Sequence, residues 1–391
     1  MSNNRRKTTA RTAAWATLLL SAALIATGCG GSDEGSGGTT GAKAGGGLAK
    51  VREQVKVLMS AQGTYEEPPA TSPKPLEGKT VALISCGQSL SSCANPIRAA
   101  KEAAEALGWK TTLFDTKGDF AVADTGVRNA IVAHADAIFI YYIDCSFMRG
   151  ALREAQDAGV IVVAAESFDC DFRKPEGEKL FSGQVTYADG QDYDKWDHGI
   201  GQAAGLYAIS QLEGKANAAI FADNTGYGSV AVAEGWEQAL KQCDGCEINI
   251  DYFPTSAFET GLQQRADQFL IQHPDTNVVG VSYEAITLSG IEASARTAGR
   301  DLLLYIGEGG PGGMDLVRRR EAATYGVGIS QDWEGWAGID AINRLMHDEQ
   351  PVSSGIGHQV FTQDRNLPAS GGYKPPVDFK AAYRKAWGVS E

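Results

Sequence analysis

Seven cysteines and five histidines are the residues of this chain best suited to chemistry, and their spacing decides which chemistry stays open. Cys243-Asp244-Gly245-Cys246 has the spacing of a redox or zinc pair. It lacks a second Cys/His pair at metal-ligand distance and does not open a helix after a strand, so a disulfide across a turn is the competing reading. The histidines (His134, His198, His273, His347, His358) are scattered, with no Cys or carboxylate at metal-ligand spacing. There is no Gly-x-Ser-x-Gly elbow, and the glycine-rich 307–313 lacks the Lys-Ser/Thr ending of a phosphate loop, so no catalytic centre, cofactor or metal is expected. Asp189, Asp192, Asp194 and Asp197 do not follow the ligand order of a calcium loop and read as a solvated helix start.

Cys29 stands apart from the other six. Arg5, Arg6, Lys7 and Arg11 precede an apolar run over 13–26, which ends in Ala26-Thr27-Gly28-Cys29. The run is shorter than the roughly 20 residues that cross a bilayer and is followed by a small-residue cleavage site. Residues 1–28 therefore read as an export signal, and its similarity to bacterial lipoprotein signals implies a diacylglycerol thioether on Cys29. Two acyl chains there give stable membrane attachment; ordinary secretion with a spare thiol is the alternative. In an exported chain six remaining cysteines point to disulfides, and locality favours Cys86–Cys93, Cys145–Cys170 and Cys243–Cys246.

The elements that must position any site follow from charge and hydrophobic pattern. The chain carries a net charge of −13, and losing the four cations of the leader makes it more acidic, which excludes a basic nucleic-acid footprint. Residues 30–47 read as a flexible Gly/Ser/Thr linker, 48–62 as an amphipathic helix, and 68–75 as a Pro-rich lead-in. The roughly 315 residues that follow exceed one ordinary core, so two lobes are expected. Short apolar runs over 80–85, 110–114, 137–143 and 160–165 alternate with helical segments, and the same alternation restarts at 196 and continues to 319. Such runs indicate parallel sheets covered on both faces, with the functional crevice at the strand carboxyl ends.

The order of several segments resembles the type I periplasmic solute-binding proteins of sugar ABC transporters, the ribose/galactose-binding group, over 79–391. The matching segments are Val81-Ala82-Leu83-Ile84-Ser85, Ala135-Asp136-Ala137-Ile138-Phe139-Ile140, Ala158-Gly159-Val160-Ile161-Val162-Val163, His273-Pro274-Asp275-Thr276-Asn277 and Tyr305-Ile306-Gly307-Glu308-Gly309. The ending Tyr383-Arg384-Lys385-Ala386-Trp387-Gly388 resembles actinobacterial lipoprotein members. The resemblance implies an α/β protein of two doubly wound Rossmann-like lobes joined by a three-strand hinge. The first lobe would be 79–184 plus 332–358 and the second 185–331 plus 359–391. Residues 29–78 would be the lipidated cysteine, linker and lead-in, and the crossings would fall near 184–187, 330–333 and 358–361. It further implies hinge closure around a small solute, a sugar or polyol, delivered to a membrane permease; presentation to a membrane kinase or chemoreceptor would use the same cleft.

Carried over residue by residue, the family's contacts fall on Ser85, Asn95, Glu166, Phe258, Glu284, Glu308 and Gln331, with Asp144, Tyr227, Tyr283 and Trp333 beside them. Glu166-Ser167 stands where the family offers Asp-Arg, and a second family arginine is replaced around Val232. Arginine supplies fixed donors, whereas ionised carboxylates only accept. Acidic groups at Glu166, Glu284 and Glu308 therefore leave an amine-bearing or cationic solute as an alternative to a neutral sugar. Trp236 and the pair Trp333 and Trp336 fit core packing as well as ligand contact.

Overall fold

Two parallel sheets carry the chain, and continuous apolar runs are what place each strand between covering helices. The computed structural model describes residues 41–389, apart from 175, 321 and 323. The first sheet contains β1 (Thr80–Ser85), β2 (Lys110–Asp115), β3 (Ala137–Tyr141), β4 (Ile161–Ala165) and β5 (Gly183–Gln184), in the order β2-β1-β3-β4-β5. Val81 pairs with Ala137 and Thr111, and Ala137 with Ile161, so the strand starts align and every carboxyl end points one way. β1, β3 and β4 are buried along nearly their whole length, whereas the edge strand β2 is exposed or half-buried throughout.

The second sheet contains β6 (Asn217–Asp223), β7 (Glu247–Phe253), β8 (Val278–Val281), β9 (Leu303–Tyr305), β10 (Thr324–Gly328) and β11 (Gln359–Thr362), in the order β11-β10-β9-β8-β6-β7. All pairs are parallel except β10 with β11. The helices Tyr193–Gln211 and Tyr227–Leu240 pack closely on one another, because Gly201 and Gly235 leave no room for a side chain between them. The helix Gln331–Leu345 belongs to the first sheet and packs against the helix Ser91–Ala106; a Cβ on Gly335 would lie 2.3 Å from the Pro96 carbonyl.

The chain passes between sheets from β5 to the helix Tyr193–Gln211, from β10 to the helix Gln331–Leu345, and from that helix back to β11. Two further segments cross as well. The first helix, Gly41–Leu58, starts inside the stretch expected to be linker and lays Val51, Val55 and Leu58 against the second lobe. The Pro-rich segment after it docks on the first lobe, where Thr71, Pro73 and Lys74 carbonyls accept from Arg344, Asn343 and His347. The tail does the reverse. Residues 359–391 were expected to stay with the second lobe, yet the helix Phe379–Trp387 stacks on the first-lobe helix, with Trp387 against Trp336 at 5.3 Å and 7°. Burial of large aromatic rings drives this docking.

The cysteines pair as locality suggested, Cys86 with Cys93, Cys145 with Cys170 and Cys243 with Cys246. Cys29 and the leader lie outside the described residues, and among those described no helix is long and apolar enough to cross a membrane.

Candidate functional site

Parallel strands place their carboxyl ends, and the loops that follow, along one edge of each sheet, and here the two edges face each other. From the first lobe come Tyr141 at the end of β3, Tyr142 and Asp144 just after it, and Glu166 after β4; from the second come Asp223 at the end of β6, Tyr283 and Glu284 after β8, and Glu308 after β9. The charges of Asp197 and Asp223 act on Tyr142, and that of Glu166 on Asp197 and Glu308, so the two groups lie close together across the lobes.

On the first-lobe side, Glu166 sits at φ 46°, a left-handed turn that a non-glycine residue enters only where its surroundings hold it there. One of its oxygens, Oε1, is buried without a partner. Its carboxyl meets Glu334, whose own oxygens accept from Tyr141 Oη at 2.8 Å and Tyr187 Oη at 3.2 Å. Burial pushes Glu334 well above the usual carboxylate range, with the Glu166 charge adding to it, and the same burial raises Glu166. Two carboxyls in contact away from water hold a proton between them.

Glu334 escaped the sequence reading although it stands one turn after Gln331. Its signal is a charge set between two buried tryptophans, Trp333 and Trp336. Asp197 was misassigned: it is not part of a solvated helix start but is 5% exposed, with Oδ2 unpartnered, while Asp192 caps that helix by accepting from the Lys195 amide. Burial, and after it the Glu166 charge, lifts the Asp197 carboxyl far above its ordinary range.

On the second-lobe side the acids have divided roles. Asp223 accepts from Tyr283 Oη (3.0 Å) and Thr255 Oγ1 (2.7 Å), and the Tyr283 ring stacks on Phe258 at 6.3 Å. Glu284 turns its carboxylate to the start of the helix Pro311–Arg319, where Oε1 accepts from the Gly313 amide at 2.9 Å, a favourable place for a negative charge. Its own amide donates to Glu308 Oε2 at 2.8 Å. That approach requires glycine at 307, whose φ is +103° and whose Cβ would lie 2.6 Å from the Glu284 backbone. Burial and then the charge of Glu284 push Glu308 up to about 8, so it is largely protonated at neutral pH.

Beside the acids the lobes touch through rings. Asp144 Oδ1 accepts from the Phe168 amide (2.8 Å), burial raises Asp144 to about 6, and Cys145–Cys170 ties the same loop down. Phe168 stacks on Phe172 at 3.9 Å and meets Tyr193 at 4.8 Å; Phe172 meets Tyr227 edge-on at 5.4 Å. Arg173 spans the lobes to Glu234 at 3.0 Å.

Not every expected residue joins this group. Trp333 is fully buried between Tyr65 (5.7 Å) and Phe379 (5.1 Å), held by the segment ahead of β1, which straps the two lobes, and by the tail rather than facing the crevice. Ser85 Oγ accepts from Gly87 and Gln88 within the Cys86–Cys93 loop. Asn95 and Gln331 are half-buried near their helix starts. Trp236 is core, edge-on to Tyr305 at 5.7 Å.

Two doubly wound lobes whose strand carboxyl ends enclose a shared polar space define a bilobal binding protein. Residues 81–350 match the family described as periplasmic binding protein domain, and the chain belongs to that family. Among solved structures it is similar to an ABC sugar transporter subunit from Rhodobacter sphaeroides (17% identity, TM-score 0.60, covering 73% of this chain and 99% of that one). It is also similar to an ABC transporter solute-binding protein from Agrobacterium vitis with bound allitol (17%, 0.61, 73% and 96%). A third is the arabinose transporter binding protein of a Shewanella species bound to L-arabinofuranose (18%, 0.60, 79% and 95%). At these identities the likeness is one of fold. No curated protein matches the chain.

Proposed function

We propose that this chain is an extracytoplasmic substrate-binding protein, anchored through a lipidated Cys29, which captures a small sugar-like solute between its lobes. Hinge closure then presents the solute to an ABC transporter permease. The observation that carries the reading is the convergence of polar strand ends from both lobes on one enclosed space, with the chain crossing beside it. Similar folds bind allitol and arabinofuranose, which supports a polyol-sized solute. Binding without chemistry accords with a family of binding proteins.

Thermal unfolding and small-angle scattering with allitol, L-arabinose, myo-inositol and amino-substituted analogues test the reading. A solute at a hundred times its dissociation constant adds about 2.7 kcal/mol to stability, and closure lowers the radius of gyration. Failure of every small solute to stabilise or compact the protein would overturn the receptor role.

A further inference from the structure

Acids from both lobes meet where the strand ends converge, and among the described residues no cation compensates them. Among the described residues none of Glu166, Asp197, Asp223, Glu284, Glu308 and Glu334 forms an ion pair with lysine, arginine or histidine. Arginines on the flanking elements are engaged elsewhere, Arg98 with Asp332, Arg173 with Glu234 and Arg344 with Asp340. Independently of that charge count, two carboxylate oxygens, Glu166 Oε1 and Asp197 Oδ2, have no hydrogen-bond partner, although their side chains are more than nine-tenths buried. They belong to opposite lobes and feel one another's charge.

Four hydroxyl donors of the site are already committed. Tyr141 and Tyr187 donate to Glu334, and Tyr283 and Thr255 donate to Asp223. A neutral sugar needs donors for its own oxygens as well as acceptors, and among the described residues the unpartnered buried groups here are three carboxylate oxygens, Glu166 Oε1, Asp197 Oδ2 and Glu284 Oε2, against one hydroxyl, Tyr305 Oη. Buried carboxylates without a counter-charge cost several kcal/mol each and take up protons instead.

We propose that the solute bears a positively charged nitrogen, an amine or quaternary ammonium, received between Glu166 of the first lobe and Asp197 of the second with Glu308 as a third acid. This rests on the receptor reading and names the substrate class of its site. The positive group takes the place of the protons that the acids hold when the site is empty, so binding releases protons. The other titratable groups facing the cluster are Tyr141, Tyr142, Tyr187, Tyr193 and Tyr305, which burial keeps neutral, and Asp144 and Glu334. Acids with raised pKa values bind a cation better as pH rises towards about 8, the value reached by Glu308.

The test is titration calorimetry on the mature chain in buffers of different ionisation heat. Choline, whose charge does not titrate, putrescine and glucosamine serve as cationic probes; allitol, L-arabinose and myo-inositol serve as neutral ones. The expected result is binding of a cationic probe, and for choline or putrescine, which stay charged throughout, proton release and tighter binding at pH 8 than at pH 6. Glu166→Gln should weaken that binding at least tenfold, about 1.4 kcal/mol, while raising the thermal midpoint of the free protein. Asp197→Asn is the second variant, since Glu166 occupies a strained turn. Binding of a neutral polyol without proton release, unaltered by either variant, overturns the inference and leaves the receptor role standing. Binding by none of the six probes also overturns it, and scattering across the wider solute panel then judges the receptor role separately.

Discussion

Replacing Tyr65 with alanine tests whether the segment ahead of the first strand is part of the folded body. The ring is 3% exposed, stacked on Trp333 at 5.7 Å and 19° and on Tyr373 at 6.3 Å and 24°. Its hydroxyl donates to the Gly328 carbonyl at 3.0 Å, at the point where the chain leaves β10 for the first lobe. On either side of it, the Thr64 and Glu66 amides donate to the carbonyls of His358 and Gly355, each at 2.9 Å. Emptying so enclosed an aromatic site costs about 3–5 kcal/mol. Tyr65→Phe keeps the ring and orphans only the carbonyl, at about 1–3 kcal/mol. At about 2 °C per kcal/mol for a body of this size, the alanine variant should melt about 6–10 °C below the parent and the phenylalanine variant about 2–6 °C below. Scanning calorimetry with both variants reads this directly. An alanine variant that melts within about 2 °C of the parent would refute the claim that this segment braces the crossing.

Two further outcomes follow from the same structure. Opening Cys145–Cys170 with the double serine variant frees a loop of 25 residues' separation and should cost about 3.5 kcal/mol by the chain-entropy relation, loosening the Phe168 and Phe172 contact; unfolding in urea, compared with the parent, measures it. Stability of the solute-free protein should fall as pH rises from about 4.5 to 8. Asp144, at about 6, and Glu308, at about 8, bind protons more tightly folded than unfolded, so their contribution is complete below the ordinary carboxylate range and is lost on passing the folded values. Thermal midpoints at pH 5, 6.5 and 8 that rise with pH would contradict it.

The sheets were legible because each buried strand is an apolar run of its own, and the disulfides because each joins cysteines near in sequence. The acids Glu166, Glu284 and Glu308 were legible as charges at strand ends, where a core role is costly. Asp197 and Glu334 were not, because an acid in the first turns of a helix is ordinarily solvated and only the far lobe or the sheet beneath reveals its burial. Trp333 failed for a related reason. Neighbouring residues on a helix point about 100° apart, so the face that sends Glu334 to Tyr141 sends Trp333 to Tyr65 and Phe379. Those partners belong to the lead-in and the tail, segments with no strand-helix alternation to mark them. The three expected crossings thus became five.

The added crossings bear on how the lobes part. Thr64 and Glu66 bind the third crossing, Tyr65 binds Gly328 at the second, and the Tyr373 amide donates to the Gly309 carbonyl while its ring stacks on Tyr65. Strap and tail therefore lie against the crossings themselves, where rotation of one lobe on the other displaces them least. On opening, the contacts that must break are those at the rim: Phe168 and Phe172 against Tyr193 and Tyr227, and Arg173 against Glu234. Each aromatic pair contributes about 0.5–1.5 kcal/mol and the exposed ion pair about 1 kcal/mol or less. Against these few kcal/mol stands the cost of bringing the acids of both lobes together without a counter-charge. In the proposed receptor, a bound solute that satisfies Glu166 and Asp197 would remove the opposing side and leave the rim contacts to hold the closed form.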